Sequence, residues 1–145
     1  MLFYQYFTVA TVIDIGEDNT AVSSHAFNFN NQDNGYVASH KTYGTESYKP
    51  NRNWTLTLTS INTTYLEIKS ISYNIVSRKK KKSNNCHDNL SIETWFNRTK
   101  FCKVLPELIY LHLDSNNTNV SFTFKTDSLE ESAGFWISLK GKLQF

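Results

Sequence analysis

The side chains able to do chemistry in this sequence fall into four groups: two cysteines, four histidines, six Asn-x-Ser/Thr sequons and one dense basic run. Cys86 and Cys102 enclose fifteen residues. Joined, they would restrict the unfolded chain by about 3 kcal/mol in the loop-entropy account; left reduced, they are two ordinary thiols. As metal ligands they are the poorest of the three readings. No Cys-x-x-Cys is present, and His87 adjoins Cys86 directly instead of standing at ligand spacing. The sequons begin at Asn53, Asn62, Asn89, Asn97, Asn116 and Asn119 and are glycosylation candidates. Composition alone, with its many Asn, Ser and Thr, would yield about three. The excess points to a secretory compartment.

Groupings that could carry catalysis are scarce in this sequence. Nucleophilic hydrolases place a nucleophile beside a base on a tight glycine turn, and no Gly-x-Ser-x-Gly occurs. The five glycines are scattered, and His25, His40, His87 and His112 are dispersed, with His112 expected on a strand surface. Glu130 and Glu131 sit in a turn where solvation accounts for them. The expectation is a protein that is not an enzyme. The basic run, Arg78, Lys79, Lys80, Lys81 and Lys82, admits three readings: a solvated loop, a patch for heparin-like sulfated glycans or anionic lipid, or a nuclear-import signal. The last conflicts with the sequons. Fifteen cations against thirteen anions give +2; without the five cations of the run the balance is ten against thirteen, or −3. Such a chain is not a general nucleic-acid binder.

The elements that must position these groups are strands. At 145 residues the chain predicts one domain, able to bury roughly two-thirds of its unfolded surface. Twenty-one aromatic residues and abundant Thr, against five Ala and one Met, favour β-structure. The apolar start is interrupted by Gln5, Thr8 and Thr11 and closed by Asp14, short of the ~20 apolar residues of a membrane span. It also lacks the basic flank of a signal peptide. Residues 1–25 are therefore expected to be a leader or upstream segment and 26–145 the folded domain. Residues 28–34, rich in Asn and ending before Gly35, are expected to form a loop. Trp54, Leu56 and Leu58 alternate with Thr55, Thr57 and Thr59, and Val120, Phe122 and Phe124 do the same, as do Phe135, Ile137 and Leu139. Leu66, Ile68, Ile71 and Tyr73 form another buried set, whose phase slips once as at a bulge. Further strands are expected over Asn89 to Phe96 and Leu108 to Leu113. Seven or eight short strands predict a β-sandwich or barrel. The expected core is Trp54, Leu56, Ile68, Leu90, Ile92, Leu111, Phe122, Phe124 and Phe135.

These same stretches carry a family resemblance. Gly35-Tyr36-Val37-Ala38-Ser39 resembles the Gly-x-Ile-x-Ser opening of CUB domains. Tyr43, Tyr48 and Pro50-Asn51-Arg52-Asn53-Trp54 resemble the stretch leading into that family's tryptophan strand, and Leu66-x-Ile68-x-x-Ile71-x-Tyr73 its next core strand. Cys86-His87-Asp88-Asn89-Leu90-Ser91-Ile92 is similar to Cys-x-x-Asp-x-Leu-x-Ile with one residue fewer between Cys and Asp. Val120-x-Phe122-x-Phe124-Lys125-Thr126-Asp127, followed by Gly134-Phe135, is similar to the family's ending. The resemblance spans Gly35 to Leu139. It implies an all-β, two-sheet antiparallel sandwich of jelly-roll type, with Cys86 and Cys102 as the second of the family's two disulfides; the first pair of cysteines is missing. Many CUB domains bind calcium, and the resemblance places Tyr48, Asp88 and Asp127 at three ligand positions, with Asn74 where a glutamate would stand. Losing one carboxylate weakens such a site, so no cofactor, or weak Ca²⁺ at most, is expected. The function implied is a non-catalytic extracellular module binding a protein or glycan through its loops. The alternative is an accessory domain of a secreted multidomain protease whose catalytic part lies elsewhere, and a third reading is a lone secreted adhesin.

Overall fold

The computed structural model describes residues 11–16, 20–30, 34–61, 65–75, 86–94, 97–113, 119–128 and 132–142. Ten strands lie among them: β1 (Thr11–Gly16), β2 (Val22–Asn30), β3 (Asn34–His40), β4 (Asn53–Ile61), β5 (Tyr65–Asn74), β6 (Asn89–Thr94), β7 (Asn97–Phe101), β8 (Leu108–His112), β9 (Asn119–Lys125) and β10 (Gly134–Lys142). They form two five-stranded sheets, ordered β1-β3-β10-β5-β8 and β2-β4-β9-β6-β7. All pairings are antiparallel except those at one edge of each sheet, where β1 runs parallel to β3 and β2 parallel to β4. Parallel neighbours need a long crossover, and each is supplied by a strand of the opposite sheet: β2 between β1 and β3, β3 between β2 and β4.

The alternation read from the sequence builds the core. Trp54, Leu56 and Leu58 of β4 lie opposite Phe124, Phe122 and Val120 of β9, and Leu90 and Ile92 of β6 continue the layer. Ile68, Phe135, Ile137, Leu139 and Val37 close it from the other sheet. Every residue of the expected core is buried except Leu111, which packs against it half-buried. His112 is exposed, as expected. On the outer face of the second sheet the intervening residues form hydroxyl pairs, Thr55 with Thr123 and Thr57 with Ser121.

Three expectations are corrected. The sheets draw on residues from Thr11 onward, so the boundary expected at 25/26 falls inside β2. Residues 28–30 belong to β2 and not to a loop. An edge strand is held by its backbone ladder, here in continuous register with β4 from Val22 to Asn30, and its polar side chains give no alternating signal. Ile71 is exposed at 57 %. The phase slip is a true bulge, with the β5–β10 register shifting between Trp136 and Ile137, and it turns Ile71 outward while Tyr73 stays against the core. The basic run Arg78 to Lys82 and the sequons at Asn62 and Asn116 lie outside the described residues.

Cys86 and Cys102 are joined, with their Cα atoms 5.8 Å apart. The bond ties the chain entering β6 to the end of β7, and Tyr73 donates from its hydroxyl to the Cys102 carbonyl at 2.8 Å, bracing the same corner. Burial is the main cause holding the Tyr73 phenol protonated far above its ordinary range. Thiol labelling of the denatured, unreduced protein should find no free thiol, and replacing both cysteines with serine should cost about 3 kcal/mol. Two labelled thiols would contradict the pairing.

Candidate functional site

Polar side chains from three separate segments meet at one end of the sandwich. Tyr48 comes from the 41–52 connection, Asp88 from the turn entering β6, Asp127 from the turn leaving β9, and His87 sits beside the disulfide. The Tyr48 hydroxyl donates to Asp88 Oδ2 at 2.5 Å, and the Asp127 amide donates to Asp88 Oδ1 at 3.0 Å. Both Tyr48 and Asp88 are 0 % exposed. Asp127 Oδ2 accepts from His87 Nδ1 at 2.7 Å, and these two side chains keep 26 % and 20 % of their surface. The result is a buried Tyr–Asp base beneath a partly exposed His–Asp pair.

The backbone around it is strapped down. Asn51 takes a left-handed conformation, φ 56°, which suits Asn, and its amide donates to the Asp127 carbonyl at 2.9 Å. Thr126 Oγ1 donates to the Lys49 carbonyl at 2.8 Å and accepts from the Arg52 amide at 2.9 Å. The electrostatics of Asp88 are set by competing causes. Desolvation dominates and pushes its carboxyl above the usual carboxylate range. The Tyr48 hydroxyl and the Asp127 amide oppose that rise.

The structure thus brings together Tyr48, Asp88 and Asp127, as the resemblance implies, and adds His87. Asn74 ends β5 nearby, where its Oδ1 accepts from Ser132 Oγ at 2.8 Å. A calcium ion takes about six to eight oxygens. Here both Asp88 oxygens are engaged by protein donors, one Asp127 oxygen is engaged by an imidazole, and the glutamate position offers a neutral amide already bonded. This donor set does not fit a tight calcium site. Nor does the hydrogen-bonded Ser39–His40 pair read as a catalytic dyad. Ser39 Oγ donates to His40 Nδ1 at 2.7 Å and accepts from the Phe135 amide at 3.1 Å, while His40 Nε2 donates to the Glu46 carbonyl at 2.7 Å. Both residues are 0 % exposed. Their hydrogen bonds clamp β3 to β10, and substrate has no path to them.

In the sequence His87 adjoins Cys86, and nothing there marks its link to Asp127. Its partner lies forty residues away, and only the neighbouring Asp88 signalled the site. Among the sequons, Asn53, Asn97 and Asn119 are exposed, whereas Asn89 is 6 % exposed and has no room for a glycan on the folded domain. Asn89 is therefore withdrawn as a candidate.

The fold is CUB-like. No protein-family model and no curated protein matches the sequence. Solved structures do match the fold. The full extracellular region of zebrafish Gpr126/Adgrg6 superposes with a TM-score of 0.61 at 17 % identity, over 81 % of this chain and 15 % of that one. The CUB1-EGF-CUB2 domain of human MASP-1/3 gives 0.63 at 16 % identity, over 79 % and 41 %. The MASP-1 CUB2 domain bound to Ca²⁺ gives 0.58 at 17 % identity, over 80 % and 96 %. This chain spans less than half of the first two.

Proposed function

We propose that this chain is a non-catalytic, extracellular recognition module that binds a protein partner through the Tyr48–Asp88–Asp127–His87 end. The observation that carries the reading is Asp88, the one carboxyl that is fully buried among the described residues. Burying such a group is costly unless it is hydrogen-bonded, and ionisable groups with shifted titration cluster at functional sites. Here that group fixes the position of Asp127, whose carboxylate and imidazole partner remain open to solvent. A partly exposed, rigidly held anion beside an imidazole suits a cationic side chain of a partner protein, since charged groups at interfaces set specificity more than bulk affinity. The disulfide and the CUB-like fold support placement outside the cell.

The test is binding of the immobilised domain to a panel of purified extracellular proteins by surface plasmon resonance. The reading expects a partner whose affinity drops about tenfold or more for Asp127→Ala and His87→Ala and is unchanged for Thr57→Ala on the outer sheet face. Binding that ignores both loop-end variants would overturn it.

A further inference from the structure

We propose that the outer face of the first sheet binds an acidic saccharide, with Trp136 as the stacking ring and Lys69 and Lys140 as the contacts to its negative charge. This site is separate from the loop end and does not depend on that reading. β10 is the central strand of its sheet. Its residues Phe135, Ile137 and Leu139 are buried, so Trp136, Ser138 and Lys140 alternate onto the solvent face. Trp136 is half-buried there, between Tyr36 and Tyr43, with ring centroids 5.4 Å and 5.6 Å away and both rings tilted 36° to the indole. Aromatic neighbours on a sheet face help to hold its strands together, and turned to water these three rings also present a stacking platform. The electron-rich face of an indole attracts the electropositive C–H face of a sugar ring.

Register places cations beside the platform. Ser138 pairs with Tyr36 on one side and Lys69 on the other, and Lys140 pairs with Asn34 and Glu67. Glu67 is already engaged: Lys142 Nζ lies 3.0 Å from its Oε2, and the Tyr110 hydroxyl donates to its Oε1 at 3.3 Å. Lys69 and Lys140 are exposed and carry no ion pair among the described residues. They border a shallow depression of about 250 Å³ whose lining also holds Tyr36, Ser138, Asn34 and the Glu67 carboxylate that Lys142 neutralises. At the ~3.3 Å rise per strand residue, Trp136 to Lys140 covers about 13 Å, longer than one sugar ring, so a short oligosaccharide can stack at one end and place a carboxylate at the other. Interleaved Ser, Asn and Lys would leave polar groups stranded under an apolar protein surface; they suit hydroxyls and an anion.

The experiment is isothermal titration of the full chain with hyaluronan hexasaccharide, with uncharged chitohexaose as the control. Saturable binding of the former is expected, weaker for chitohexaose and weaker at high salt. Trp136→Ala should reduce the affinity about tenfold and Lys69→Ser with Lys140→Ser about threefold, the latter pair being exposed and harmless to folding. Asp127→Ala at the loop end should leave it unchanged. The proposal fails if no saturable heat appears, or if binding survives both face variants. It also fails if binding disappears only when Lys79 to Lys82 become serine, or if Trp136→Ala merely breaks up a dimer of this chain seen by sedimentation.

Discussion

Gly134→Ala is expected to destabilise the domain by about 3–5 kcal/mol, the sum of a strained backbone and an overfilled site. Gly134 sits at φ 98°, a region that side-chain-bearing residues rarely adopt. A Cβ there would overlap Ser39 Oγ and lie 2.9 Å from His40 Cε1. Neither neighbour can yield, because both are fully buried and committed, Ser39 to the Phe135 amide and His40 to the Glu46 carbonyl. Gly44→Ala is the matched control. Its φ is 93°, yet nothing lies within 4 Å of an added Cβ, so it should cost only the backbone share, about 1 kcal/mol. Urea unfolding of the two variants separates the effects, and equal losses would show that the Ser39–His40 clamp contributes nothing.

Asp88→Ala should cost about 2–5 kcal/mol, since it strands two donors, the buried Tyr48 hydroxyl and the Asp127 amide. Tyr48→Phe removes one donor and should cost about 1–3 kcal/mol. Asp88→Asn keeps an acceptor for the Asp127 amide and should be the mildest of the three. A double-mutant cycle between Tyr48→Phe and Asp88→Ala should show strong coupling, because each residue's loss is largely the loss of the other's partner. The pH dependence follows from the raised Asp88 carboxyl. The folded state holds this proton more readily than the unfolded chain, so the Asp88 contribution to stability declines as pH rises through the carboxylate range. Asp88→Asn should remove that decline. Additive losses and an unchanged pH profile would show that the buried pair is not a unit.

What could be read from the sequence was what burial writes into it. β4 and β9 each present one face to the core, so Trp54–Thr55–Leu56–Thr57–Leu58 and Val120–Ser121–Phe122–Thr123–Phe124 alternate plainly, and those two strands anchor the sandwich. β1 and β2 escaped notice because edge strands are specified mainly by backbone pairing; Ser23, Ser24 and Asn28 give no period of two. Ile71 was misplaced because a bulge moves one residue across the sheet without changing composition. Tyr48, Asp88 and Asp127 were found through the resemblance, not through chemistry that spacing could reveal, since 40 residues separate Tyr48 from Asp88 and 39 separate Asp88 from Asp127. His87 and the Ser39–His40 clamp take their roles from partners brought up by folding, and nothing local marks them.

The end formed by Tyr48, Asp88, Asp127 and His87 is held by its own hydrogen bonds, and its order should not depend on a bound cation. Calorimetric titration with Ca²⁺, paired with thermal melts in calcium and in excess EDTA, tests it most directly. We predict no binding tighter than about millimolar, the weak end of the range for extracellular calcium modules, and the same melting temperature in both buffers. A micromolar site that is abolished by Asp127→Ala, with a melting temperature that falls in EDTA, would contradict it.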